Sequence, residues 1–393
     1  MTAENISNDP DETLNLRAIS AAIVSISVVG IAIGLGIPLL SIIMEGRGYS
    51  ASLIGLNTAA AGIASLAAAP FATPIAARFG VAPTIAAMIV VSALSFLGFY
   101  YFDGFFVWAL LRLALHFALT ILFILSEFWI TASAPPKKRG LMLGIYATVL
   151  SIGFALGPWI FSQAGSSGLL PFGLGFSIIL LALIPVALAW KESPSIADKE
   201  HSSFIPYLVA VPTATAAVLV FGAVETGGFS LLPVYGTRLG YSESDAALLL
   251  TIIGLGNVLL QIPIGIASDR ISDRRLLLLG LALFGLAGAL SMTLASANWH
   301  LLALVLFFWG GAVAGLYTVG LVHLGSRLTG RDLASANAAF IFCYALGMLT
   351  GPQVIGWGMD WFGADGFSYG LAVFFVTYIV LSLHRIIFVK RRG

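Results

Sequence analysis

Charge is what this 393-residue sequence has least of: Lys, Arg, Asp and Glu together make up 9% of it, against about 25% in an ordinary soluble domain. A soluble chain of this length could not cover its surface with so few ionisable groups, so apolar surface must face lipid. The 59% hydrophobic content and the mean hydropathy of +1.00 say the same. Cysteine is almost absent. The single Cys343, set in an apolar run, excludes a disulfide within the chain and a metal site built from cysteines. A net charge of +1 offers no basic face to nucleic acid. No G-x-x-x-x-G-K-[ST] run is present to cradle a nucleotide, so ATP drive is not supported. No Ser-His-Asp arrangement or zinc-ligand spacing stands out, and neither ordinary enzymatic chemistry nor a cofactor is expected. The polar start, Met1 to Leu16, lacks the basic residues of a cleaved signal peptide, and the first apolar run is expected to be a retained helix.

What the sequence has in abundance is long apolar runs. A helix needs about 20 apolar residues to cross the bilayer core, and twelve runs meet that need: 17–44, 50–77, 81–101, 105–131, 141–163, 170–190, 207–236, 243–267, 275–295, 299–326, 333–357 and 366–389. They lack the period-two alternation of a β-barrel, so the fold class is an all-α membrane protein. Lys and Arg placement sets the orientation. With the N-terminus in the cytoplasm, sixteen basic residues fall inside, only Arg47 and Arg238 fall outside, and Arg112 stays within a helix. Both termini are therefore expected in the cytoplasm, in a bacterial inner membrane. The polar stretch KESPSIADKEHSS, Lys191 to Ser203, suits a flexible linker between halves. The expected organisation is a tail over 1–16, a six-helix bundle over 17–190, a linker over 191–206, a second six-helix bundle over 207–389 and a tail over 390–393.

The two bundles repeat one another. Gly48-Tyr49-Ser50 recurs as Gly240-Tyr241-Ser242, at an offset of 192 that also pairs Leu56 with Leu248, Gly62 with Gly254 and Arg78 with Arg270. Gly153-x3-Gly157-Pro158 recurs as Gly347-x3-Gly351-Pro352, at an offset of 194. Six spans separate each pair, so the copies share an orientation. Parallel halves of this kind mark transporters, with the substrate site between them near the midplane.

Two motifs then make the chain resemble the major facilitator superfamily over nearly its whole length. The segment Gly265 to Arg275, with Asp269, Arg270, Arg274 and Arg275, is similar to that family's cytoplasmic G-x-x-x-D-R-x-x-x-R-[RK] loop. The resemblance implies close helix approach at Gly265 and an ionic latch at Asp269, which can pair with a base or cap a neighbouring helix. The matching loop of the first half keeps only Arg78, with Thr73 and Ala77 in place of the glycine and aspartate. Gly144-x8-Gly153-x3-Gly157-Pro158 resembles the glycine motif of the family's proton-driven exporters, in which small residues and a kinking proline let one helix rock on another. Glu127-Phe128-Trp129, followed by Lys137-Lys138-Arg139-Gly140, resembles the YcaD-like branch.

Ionisable groups inside the membrane are few, and each implies a cavity or a partner. Glu225, in Val224-Glu225-Thr226-Gly227-Gly228, is expected above mid-membrane where two glycines can unwind the helix, and to serve as a proton or cation site. Arg112 and His116 share a helix face. Arg112 resembles the family's proton-linked arginine of the fourth helix. Equally, it suits an anionic substrate or a partner carboxylate. Glu127 lies three turns beyond His116 and is expected to pair with Lys137 or Arg139. Cavity candidates are Asn57, Asn257, Gln261, Gln163, Gln353 and Tyr317, with Phe128, Trp129, Phe221, Trp309 and Phe340 as aromatic lining. The function expected is a monomeric, proton-coupled secondary transporter that exports a small organic or amphipathic solute. Uptake of an organic acid through Arg112, and a receptor or lipid-handling role on the same scaffold, are the alternatives.

Overall fold

The computed structural model describes residues 15–135, 138–195, 205–271, 273–326, 328 and 330–388. Lys137, most of the linker (196–204), Arg327 and the tail from Lys390 lie outside them, as does the side chain of Arg139. Among the described residues there are only helices and connecting turns: α1 (Leu16–Gly46), α2 (Ala51–Phe79), α3 (Val81–Tyr101), α4 (Phe105–Ser133), α5 (Arg139–Ala164), α6 (Leu170–Leu181), α7 (Leu183–Leu188), α8 (Tyr207–Ala210), α9 (Pro212–Arg238), α10 (Glu243–Arg270), α11 (Arg274–Ala295), α12 (Trp299–Gly325), α13 (Gly330–Phe362) and α14 (Gly366–Phe388). Among the described residues eleven apolar segments are long enough to cross a membrane, and the last, Ser335–Arg385, is 51 residues long. It holds α13 and α14, folded back on each other at the 3-10 turn Gly363–Asp365, which makes twelve crossings.

Two of the expected spans are broken, both by proline. The run 170–190 divides at Ala182, between α6 and α7. Pro185, in the first turn of α7, has no N–H to offer the preceding turn. The run 207–236 divides at Val211, whose φ of −127° and ψ of 59° leave the helical region. Its successor Pro212 disfavours helical backbone there.

Packing repeats with a step of six spans. In the first half α1 packs on α4 and α5, α2 on α4, and α3 on α4 and α6. In the second half α9 packs on α12 and α13, α10 on α12, and α11 on α12 and α14. The seam between halves obeys the same symmetry, with α2 against α13 and α5 against α10. The repeated Gly-Tyr-Ser tripeptides are the same turn built twice. Gly48 and Gly240 have φ of +82° and +92°, a region that favours glycine. Ser50 and Ser242 follow in extended backbone and accept hydrogen bonds from the N–H groups of Leu53 and Asp245, capping α2 and α10.

The second repeat sets backbone against backbone. Gly153 and Gly157 press on α1 at Gly30 and Gly34, and their counterparts Gly347 and Gly351 press on α9 at Gly222 and Ala223. A Cβ at Gly157 would collide with the main chain of Gly34 and Leu35. Overpacking of this kind costs roughly 1–3 kcal/mol. Gly157→Val is therefore expected to lower the midpoint of thermal unfolding in detergent, followed by size-exclusion chromatography, while Gly144→Ala, in open space, leaves it unchanged.

Candidate functional site

The halves touch at one end of the bundle, the far end from the two chain termini. There Gly55 meets the carbonyl of Pro352, Gly62 the backbone at Ala345 and Leu349, Gly356 the backbone of Ala51, and Gly254 that of Ala155. Polar groups stitch the same region. The Ser230 hydroxyl of α9 bonds both Ser41 of α1 (2.9 Å) and Thr58 of α2 (2.8 Å). Arg238 of α9 grips the Glu45 carboxylate of α1 at 2.8 and 3.2 Å. Asp360 of α13 accepts from the N–H groups of Ala51 (2.9 Å) and Ser52 (3.1 Å), and so caps α2 from the other half. Ser244 donates to the Ser162 carbonyl at 2.8 Å, and Thr251 to that of Ala155 at 3.2 Å.

At the opposite end the same helices diverge. A Cβ built on Gly144 or on Gly265 would meet nothing within 4 Å. The close approach expected at these two glycines is thus not made in this structure. The reason lies in the helical repeat. Gly144 precedes Ala155 by eleven residues, about three turns, so it lies on the α5 face that meets α10, not on the face that carries Gly153 and Gly157 to α1. Gly265 follows Gly254 by the same eleven residues on α10. Because Gly254 abuts Ala155 and the helices run antiparallel, Gly144 and Gly265 stand opposite each other across the open end.

Between seam and open end lies a cleft lined by Ser151 and Phe154 of the first half and, in the second, by Phe221, Glu225, Phe229, Asn257 and Trp309 among others. Glu225 is half-buried and stands thirteen residues from either end of α9, at mid-helix, not above it as the sequence suggests. The helix starts at Pro212, after the Val211 break, and continues to Arg238. Nor is it unwound at Gly227 and Gly228: α9 is unbroken, with Gly227 packed on α13 beside Ile355 and Gly351. The Tyr344 hydroxyl of α13 donates to Glu225 Oε2 at 2.7 Å. Tyr317 packs on Phe221, Phe340 and Tyr344 and lies within electrostatic reach of both Glu225 and Glu127. Glu127 itself is exposed, and its expected partners, Lys137 and the Arg139 side chain, lie outside the described residues. Gln261 donates to Asn257 at 3.0 Å.

The other membrane charges form a separate cluster. Arg112 is fully buried inside the first half, where Nε donates to the Asn57 side chain at 2.8 Å and Asn57 in turn donates to the Phe105 carbonyl. The two terminal guanidinium nitrogens have no hydrogen-bond partner among the described residues. His116 is buried one turn along. Neither residue lines the cleft with Glu225, nor does Glu127, so Glu225 stands apart from Arg112 and His116, because the Arg112 face of α4 turns toward α2. Gln353 lies at the α2–α13 seam, where its backbone N–H is close to Gly55. Gln163 donates to the Ser162 hydroxyl.

The loop expected to latch the structure holds a different pair. Asp269 is exposed in the last turn of α10, after Gly265, with Arg270 exposed beside it. Asp273 does the capping: it accepts from the Arg275 N–H at 3.1 Å and pairs with the Arg275 guanidinium at 2.8 Å. The Arg275 side chain bonded to it holds the Asp273 carboxyl below its ordinary value. Arg274 starts α11.

A family profile for the Major Facilitator Superfamily matches residues 22–256 and 214–392. The chain belongs to this superfamily. A Bacillus subtilis (strain 168) relative, the uncharacterized MFS-type transporter YfkF, is 30% identical over 366 residues, covering 91% of each chain. The Escherichia coli MFS-type transporter YcaD is 24% identical over 256 residues, covering 64% of this chain and 65% of its own. Among solved structures, the nucleoside transporter NupG superposes with a TM-score of 0.73 at 14% identity, over 94% of this chain and 98% of its own. A D-xylose–proton symporter superposes with a TM-score of 0.71 at 17% identity, over 96% and 98%. The protein is thus a multi-pass membrane protein with the transporter fold of two pseudo-symmetric six-helix bundles.

Sequence reading misses the far-end seam and Tyr344. Asp360, Glu45 and Arg238 read as ordinary loop charges because their partners are far away in the chain. Losing a capping bond costs about 1 kcal/mol, a factor of about five in the opening equilibrium. Asp360→Ala is therefore expected to speed hydrogen–deuterium exchange in the first turns of α2 by about fivefold, read by mass spectrometry of peptides from 47–62. Unchanged exchange there would show that the cap does not hold the seam.

Proposed function

We propose that the chain is a proton-coupled secondary transporter that exports a small organic or amphipathic solute by alternating access. The observation that carries this is the position of Glu225: among the described residues it is the one charged side chain lining the cleft between the two halves. A carboxyl group at mid-membrane costs about 2.5–3.5 kcal/mol on insertion scales, and a group that can exchange a proton and meet a solute at the same place supplies the coupling. The working units are the bundles over 17–190 and 207–389. With the basic residues placing the termini in the cytoplasm, the seam closes the outer face and the cleft opens inward. The alternate state would bring the near ends of α5 and α10 together at Gly144 and Gly265 and part the contacts of Asp360 and Arg238. The export direction rests on the α5 glycine motif. Uptake of an organic acid is less well supported, since Arg112 is turned away from the cleft and engaged by Asn57.

In proteoliposomes carrying an imposed pH gradient, solutes that move protons through the wild-type chain identify the substrate. Glu225→Gln is expected to reduce gradient-driven flux of such a solute by at least about tenfold while solute–solute exchange persists. Gradient-driven flux at the wild-type rate in that variant would remove Glu225 from the coupling.

A further inference from the structure

The walls of the cleft narrow the class of solute. Phe154 of the first half meets Phe229 of the second at 5.8 Å between ring centroids, and Phe221 and Trp309 complete the lining around Glu225. Behind them Tyr344 stacks on Phe221 at 5.8 Å and Tyr317 packs on it at 5.3 Å. The aromatic wall is therefore drawn from both halves. The single acidic group inside it keeps one oxygen in reserve: Tyr344 engages Oε2, and Oε1 has no donor among the described residues.

No positive charge is paired with this carboxylate among the described residues. Among the described residues no Lys, Arg or His lines the cleft, and the ion pairs involve other acids. Arg112 is enclosed in the first half with Asn57. An anionic solute in this cleft would meet the Glu225 carboxylate and the negative faces of aromatic rings. A cation would meet a counter-charge and rings that attract it.

We infer that the cleft is a binding site for monovalent organic cations, with an alkylammonium or arylalkylammonium headgroup set against Glu225 and between Phe221, Phe229 and Trp309. Glu225 supplies the counter-charge, Tyr344 orients it, and the rings select an organic cation over a hydrated inorganic one because they offer no oxygen ligands. This inference names the solute class for the transport reading and rests on that reading only for the movement of what binds.

Binding and movement are tested separately. Isothermal titration calorimetry on the full chain in detergent would compare benzyltrimethylammonium with benzyl alcohol and benzoate, ligands of similar size that are cationic, neutral and anionic. The wild-type chain is expected to bind the cation at least about tenfold more tightly than either of the others. Glu225→Gln should abolish that preference, Glu225→Asp should keep it, and Trp309→Leu should weaken the cation alone. Should Glu225→Gln fail to elute as a monodisperse species, the Glu225→Asp and Trp309→Leu pair decides. Benzoate or benzyl alcohol binding as tightly as the cation, or cation binding untouched by Glu225→Gln or by Trp309→Leu, would overturn the assignment. Cation binding without flux in proteoliposomes would leave the site standing and sink the transport reading. Flux of acids or neutral solutes without cation binding would do the reverse.

Discussion

Four helices, two from each half, carry the contact on which the rest of the molecule depends. α2 lies on α13 and α5 on α10 at the far end, close enough that glycines face backbone across the seam. Lipid offers apolar side chains no less than protein does, so such helices associate through close packing and a few hydrogen bonds rather than through exclusion of water. The bonds are individually weak. Interhelical hydrogen bonds in membranes average about 0.6 kcal/mol, and a partly exposed ion pair such as Glu45–Arg238 contributes about 1 kcal/mol or less. Such terms sum to a few kcal/mol, the range in which two conformations can share a population. Within each half glycines meet backbone in the same close way. Gly153 and Gly157 on α1, and Gly347 and Gly351 on α9, leave no room for a side chain, and these contacts tie the helices of one half together.

Glu225 draws its importance from that division. It sits on α9, one of the two most enclosed of the described helices, yet its side chain reaches the cleft lined by both halves. Tyr344 reaches it from α13, the helix that also bears the seam residues Pro352, Gly356 and Asp360. Occupancy of the carboxylate and the state of the seam therefore share one helix. Arg112 bonds Asn57 of the seam helix α2 from inside its own half, but it does not line the cleft that holds Glu225.

Much of this is legible in the sequence where the signal is local or repeated. The span boundaries follow from apolar runs, and the Gly-Tyr-Ser tripeptides mark two identical capped turns because a positive φ and an extended serine leave a fixed residue pattern. The paired Gly-x3-Gly-Pro segments read as helix packing, and they make that packing twice. Glu225, Asn257, Phe221 and Trp309 each stand out singly as polar or aromatic residues in apolar helices, and the fold brings them to one cleft. Contacts between distant segments stay hidden. Asp360 caps a helix 309 residues earlier, and Ser41 meets Ser230 across 189, separations over which no pattern in one chain reports a pairing. Which neighbour a helix face meets is likewise out of reach, so the motif groups Gly144 with Gly153 although the two point to different neighbours. A motif also favours Asp269 over Asp273, whereas the start of α11 decides which carboxylate reaches a helix end.

The pairing of Gly144 with Gly265 tests the central claim most directly, that two rigid halves exchange one closed end for the other. Cysteines placed at both positions in a Cys343→Ser background, in membranes, would be exposed to a short bifunctional maleimide with and without a solute that drives transport. The account predicts slow cross-linking of the resting protein and a several-fold rise in the presence of solute, with no such rise for a control pair at Gly153 and Gly265. Cross-linking at one unchanging rate for both pairs would mean that the open end does not close along this register, and the two-unit description would be wrong.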